Sequence, residues 1–309
     1  MGNIQQHHRH QIELQHPDAI YLPNDIVCGT ITNVIKDDLL IILIGTVRFK
    51  KHKKKQIEYR EIIFFSSTFP LNASSSSTQT FQLPLNEHLP PSFNQSNIFP
   101  QISYSLNLIY QTSKDRIYSS LPLRICPRLQ IDQPSLLTPF IFGPIDNHNY
   151  GTKLQIKVNR SAFKFGDTIV IFYELQNPLE KLIQTVDVSL GIYYLVESNI
   201  HQEDVKNTID NVNVIDSKPK LIRHKVLLRI PEEIYLPPTF KFKYDQDGER
   251  SQFNLTIEYK IQLKIYLRNP ENLWQVDVPI VLCNELIEQT KRETEEVSSD
   301  CETDVVMNK

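Results

Sequence analysis

Glycine is scarce, with 8 in a chain of 309 residues. No glycine-rich phosphate loop is present, and neither a G-x-S-x-G nor an H-E-x-x-H motif occurs. The four cysteines (Cys28, Cys126, Cys283 and Cys301) stand far apart and form no C-x-x-C pair. Their spacing supports neither a zinc site nor a disulfide framework, and free thiols fit a reducing, cytoplasmic compartment. Long apolar runs are missing too. The longest spans residues 39–44, far short of the roughly 20 residues a membrane helix needs. Residues 1–19 are polar and rich in His and Gln, without the apolar stretch of a signal peptide. The net charge of -3 offers no general attraction for nucleic acid, so a basic function has to come from a local patch. His7, His8 and His10 lie in a terminus expected to be unstructured, which pre-organises no site, so neither a metal nor another cofactor is expected.

What the chain does have is period-two alternation. Ile102, Tyr104, Leu106 and Leu108 alternate with Ser103, Ser105 and Asn107. Ile257, Tyr259, Ile261, Leu263 and Ile265 alternate with Glu258, Lys260, Gln262 and Lys264. Successive side chains of a strand point to opposite faces, so such segments bury one face and wet the other, as antiparallel sandwich strands do. Helical signals are few. The best, residues 285–296, lacks an apolar stripe. An all-β fold is predicted.

The chain also repeats itself. Leu89-Pro-Pro-Ser-Phe93 precedes a strand containing Tyr104, and Leu236-Pro-Pro-Thr-Phe240 precedes one containing Tyr259. Leu22-Pro-Asn-Asp-Ile-Val27 resembles Phe165-Gly-Asp-Thr-Ile-Val170. The offsets rise in order: 142 residues between Asp25 and Asp167, 147 between the Leu-Pro-Pro units, 155 between the tyrosines. Ordered matches with slowly growing offsets indicate one domain duplicated, with longer loops in the second copy. Five prolines between residues 122 and 150 mark the join. The predicted organisation is a disordered N-terminus at 1–17, a β-sandwich at 18–128, a linker at 129–149, a second sandwich at 150–283 and an acidic tail at 284–309.

These residues resemble the arrestin family. Tyr21-Leu-Pro-Asn-Asp-Ile-Val-Cys-Gly29 is similar to the Tyr-x-Pro-Gly-Asp/Glu-x-Val-x-Gly opening of its first domain. Residues 39–45 followed by Val47-Arg-Phe-Lys-Lys51 match its apolar strand and basic turn. Ala162-Phe-Lys-Phe-Gly-Asp-Thr-Ile169, Asn177-Pro178 and Val278-Pro-Ile-Val-Leu282 resemble its second domain. The ordered set covers about residues 18–283 and is closest to the arrestin-domain-containing, or α-arrestin, branch. The resemblance implies two consecutive arrestin-like (immunoglobulin-like) sandwiches. It also implies a non-enzymatic adaptor for membrane-protein cytoplasmic tails in endocytosis, protein transport or ubiquitin-linked trafficking, acting in the cytoplasm or peripherally at plasma membrane or endosomes. The alternative is a scaffold subunit of a retromer-type coat. Many α-arrestins carry Pro-Pro-x-Tyr motifs that recruit ubiquitin ligases. None is present here, and both Pro-Pro units lead into Ser or Thr and then Phe.

Two charge features stand out. Arg48, Lys50, Lys51, Lys53, Lys54 and Lys55 follow a predicted strand and are expected on a turn, where they offer phosphorylated cargo or anionic lipid a positive potential. The bland reading is a solvated hairpin whose charges discourage edge pairing. The tail sets Thr294, Ser298, Ser299 and Thr303 among acidic residues, a phosphorylatable segment able to compete with cargo for the basic turn. Its bland reading is a disordered solubilising tail. The Leu-Pro-Pro units read as structural turns, and Asp25 and Asp167 as caps of strand-entry turns.

Overall fold

A computed structural model describes residues 11–32, 39–53, 56–71, 78–94, 99–110, 117–148, 151–180, 183–196, 199–205, 210–213, 220–232, 236–244, 253–267 and 273–286. The chain is nearly all β. The first strands are β1 (Gln11–Leu14), β2 (Ile20–Tyr21), β3 (Ile26–Thr32), β4 (Leu39–Lys53), β5 (Gln56–Pro70), β6 (Thr78–Pro84), β7 (Gln101–Tyr110) and β8 (Ile117–Ile125). They build a three-stranded sheet ordered β1-β3-β6 and a five-stranded sheet ordered β2-β8-β7-β4-β5. After β9 (Gln130–Ile131) come β10 (Phe140–Asn147), β11 (Thr152–Val158), β12 (Ala162–Lys164), β13 (Thr168–Gln176), β14 (Ile183–Val196), β15 (Asn199–Asp204), β16 (Asp210–Asn213) and β17 (Leu221–Arg229). The last are β18 (Phe240–Tyr244), β19 (Phe253–Leu267), β20 (Leu273–Cys283) and β21 (Glu285–Leu286). Here the sheets are β10-β11-β13-β17 and β12-β20-β19-β14-β15, with β16 on β14 and β18 on β19.

Alternation explains the strands. In β11 the order Thr-Lys-Leu-Gln-Ile-Lys-Val gives strictly alternating buried and exposed positions. In β19, Phe253, Leu255, Ile257, Tyr259, Ile261 and Leu263 are all fully buried. Each such side chain contributes roughly 1.5–3 kcal/mol by leaving water.

The repeated motifs become repeated hydrogen bonds. The Tyr104 hydroxyl donates to the Pro90 carbonyl at 2.7 Å, and the Tyr259 hydroxyl donates to the Pro237 carbonyl at 2.6 Å. Ser92 Oγ accepts from the Ile125 amide at 2.8 Å, as Thr239 Oγ1 does from the Leu282 amide at 2.9 Å. Asp25 Oδ2 accepts from the Leu22 amide and Asp167 Oδ2 from the Lys164 amide. The Leu-Pro-Pro units are buried turns and the aspartates are caps, as their sequence context predicts.

Three expectations need correction. β1 begins at Gln11, inside the N-terminal segment expected to be disordered, and pairs with β3. The proline-rich stretch 129–149 is not a bare linker, because it contains β10. Pro144 is tolerated there because β10 is an edge strand whose register slips between Phe142 and Ile145. Glu285 and Leu286, placed in the expected tail at 284–309, are extended and pair in parallel with β9.

Aromatic rings cross between the earlier and later sheets. Gly45 pairs with Phe65 and Thr46 with Ile63, so Phe64 is the extra residue of a bulge. Its ring packs on Tyr104 at 5.6 Å, on Phe242 at 5.6 Å and on Phe253 at 6.3 Å between centroids. A Cβ on Gly45 would meet both Phe64 and Tyr104 at 2.9 Å, which is why glycine stands there. Phe93 meets Tyr194 at 4.9 Å, and Leu129 and Asn284 exchange two hydrogen bonds.

Candidate functional site

The basic run lies within β4, rather than on a turn beyond it. Val47 and Phe49 are fully buried, so Arg48 and Lys50 between them face outward. The backbone of Lys51 and Lys53 continues the strand, whereas Lys54 and Lys55 lie outside the described residues. The β4–β7 ladder ends at Arg48 with Gln101, but the β4–β5 ladder runs on to Lys53 with Gln56. The described part of the run, from Arg48 to Lys53, therefore occupies a two-stranded ribbon that continues past the β7 ladder. A predicted turn became strand because alternate residues Val47 and Phe49 still reach the core.

Aromatic side chains hold the two described cations. The Arg48 guanidinium lies over the Tyr59 ring at 5.4 Å, and Lys50 Nζ lies over Phe99 at 4.6 Å. Tyr59 and Phe99 touch each other at 5.3 Å between centroids. Each exposed cation–ring contact contributes about 0.5–1 kcal/mol and limits the rotamers of a long side chain. Arg48 is exposed and Lys50 is partly exposed. Beside them β5 pairs, among the described residues, with β4 alone and forms the sheet margin, with Ile57, Tyr59 and Ile63 each more than half exposed. An unpaired strand edge next to anchored cations can accept an extended chain through its backbone and select acidic side chains through charge.

Tyr59 and Phe99 escaped the sequence reading. Tyr59 stands opposite Lys50 in the β4–β5 ladder, a register that no local motif announces. Phe99 enters from the segment before β7.

Other polar groups are engaged inside the fold. On β14, β19 and β20, Gln262 donates to the Tyr193 hydroxyl at 2.6 Å, and that hydroxyl donates to Asp277 at 2.9 Å. Burial, then the Asp277 hydrogen bond, pushes the Tyr193 phenol up to about 12, so it stays protonated at neutral pH. Cys283 is buried, donates to the Phe163 carbonyl, and is pushed up to about 11 mainly by burial, which leaves it a poor nucleophile. Among the described residues, no group of three His, Cys, Asp or Glu side chains is arranged to hold a metal ion. No helix among them is long and apolar enough to cross a membrane. Thr294, Ser298, Ser299 and Thr303, and His7, His8 and His10, lie outside the described residues.

A cleft of about 430 Å³ lies between earlier and later elements, lined by residues such as Leu22, His88, Arg128 and Phe240. The His88 ring tilts against Phe240 at 5.4 Å. The sequence reading did not anticipate this cleft, since its walls come from segments more than 100 residues apart. No protein-family model matches the chain, and no curated protein matches it either.

Proposed function

We propose that the chain is a non-enzymatic arrestin-like adaptor. In this reading two arrestin-like sandwiches, 18–128 and 150–283, present the β4–β5 ribbon to cytoplasmic tails of membrane proteins. The observation that carries it is the ribbon itself. Arg48 and Lys50 are fixed over Tyr59 and Phe99 beside an edge strand that carries its own exposed apolar residues. A tail adding alongside β5 lies about 5 Å from it and about 10 Å from β4. Extended Arg and Lys side chains, met by Glu or a phosphorylated Ser, span that gap. The Arg48 guanidinium already leans over Tyr59 of β5, toward the added strand. Hydrogen-bond equivalence of the Leu-Pro-Pro corners supports the two-domain part of the reading.

Direct recruitment of a WW-domain ligase through Pro-Pro is disfavoured. Leu89, Pro90, Pro91, Ser92 and Phe93 are all buried. Ubiquitin-linked trafficking then requires a partner that brings its own motif. Proximity labelling in the native cell tests the adaptor role. Enrichment of membrane-protein tails and sorting factors, lost when Arg48 and Lys50 become Ala, is the expected outcome. Stable coat subunits retained by that variant would instead support the retromer-type scaffold.

A further inference from the structure

A second surface, far along the chain from the ribbon, has the makings of a binding groove. The solvent face of the β10-β11-β13-β17 sheet carries a cross-strand row. Ile141 pairs with Lys157, Lys157 with Phe172, and Phe172 with Lys225. Residues paired across antiparallel strands share a face, so these four form one line across the sheet. A groove of about 400 Å³ runs over them. Its apolar floor is unusual for a sheet face in water. Ile141 is 60% exposed and Phe172 is 45% exposed, with Leu227 and Leu221 exposed beside them.

The charge of this face is one-sided. The four strands hold five cations (Lys153, Lys157, Arg223, Lys225 and Arg229) against two acids, Asp146 and Glu174. Both acids are already used. Asp146 pairs with Lys153 at 3.4 Å, outside the groove, and Glu174 pairs with Arg223 at 2.7 Å. Hydrogen bonds from Gln176 and Arg223 hold the Glu174 carboxyl below its ordinary range, so it stays ionised and occupied with Arg223. Lys157 and Lys225 have no carboxylate partner among the described residues, and Lys225 Nζ lies over the Phe172 ring at 5.4 Å. The two lysines flank Phe172 on neighbouring strands, roughly 10 Å apart along the sheet.

We infer that this groove docks an acidic peptide segment of a partner protein, seating one apolar side chain on Phe172 between carboxylates held by Lys157 and Lys225, with Ile141 offering a second apolar contact beyond Lys157. The shape favours a peptide over a lipid surface, because a flat bilayer does not reach the floor of a groove. Charge fixes the sign of the partner, and the exposed ring fixes the need for an apolar residue between its acids. The inference does not depend on the ribbon, since none of these residues touches it.

The test is fluorescence anisotropy on the full chain, using a labelled peptide of alternating Asp and Leu. A Lys-and-Leu version and phosphatidylserine-containing vesicles run in parallel. The Asp-and-Leu peptide should bind. K157E/K225E should weaken it about tenfold and F172A about fivefold, the range of one or two exposed contacts. K153E reverses one charge on the same face but outside the groove, and should leave binding unchanged. Equal binding by all variants, equal loss in K153E, a preference for the vesicles, or no binding at all would each overturn the inference. R48A/K50A should bind this peptide as the parent does, which separates this site from the ribbon.

Discussion

The two corners of the molecule use the same hydrogen bonds with different residues. At the first, Asn24 takes a left-handed conformation with φ 71°, and at the second Gly166 does so with φ 84°. Each precedes the capping aspartate by one residue. Asn tolerates that region through its short polar side chain, and Gly through having none. Ser92 and Thr239 then make the same bond to the closing strand, and Tyr104 and Tyr259 the same bond to a proline carbonyl. Three residues after each tyrosine comes a buried amide. Asn107 donates to Ser105, whereas the longer Gln262 reaches Tyr193 and accepts from Ser189. The shared atoms are backbone-satisfying ones, and what differs is surface. The earlier half extends β4 and β5 into a basic ribbon, and the later half adds β16 and β18 and leaves an apolar, cationic sheet face. A framework held constant while its surfaces diverge locates function on the surfaces.

The largest expected effect breaks the independence of the halves. Phe64 touches Tyr104 in one and Phe242 and Phe253 in the other, so F64A should cost about 3–5 kcal/mol. Chemical denaturation checks this, and a cost below 1 kcal/mol would show that the rings do not couple the halves. Next, Y104F and Y259F each strand a buried proline carbonyl and should cost about 1–3 kcal/mol apiece. If the corners are equivalent the two losses match within error and add in the double variant. Smaller still is the difference between the aspartates. Asp167 also receives Arg160 at 2.6 Å, with both side chains largely buried, whereas Asp25 serves as a turn cap. D25A should cost about 1 kcal/mol and D167A more, and R160A should remove the difference.

Much of this was legible in the sequence. Alternation named the strands, and the rising offsets of Asp25 and Asp167, the Leu-Pro-Pro units and the tyrosines aligned the corners before any coordinates. The failures have a common physical cause. Pro144 reads as a breaker, but an edge strand with a bulge does not need its amide. Lys50 reads as a turn residue, but a strand tolerates a cation on its wet face when Phe49 anchors the other. Phe99 and the groove around Phe172 were invisible because their neighbours come from distant strands, and pairing partners are not written in local pattern.

The most direct test of the ribbon is the salt dependence of binding. An acidic, phosphoserine-containing peptide would be titrated into the full chain and into R48A/K50A at several ionic strengths. Clear binding by the parent is expected, with about tenfold weaker binding by the variant and a flatter salt slope because two counter-charges are gone. The same affinity and the same slope in both proteins would contradict a binding role for the ribbon.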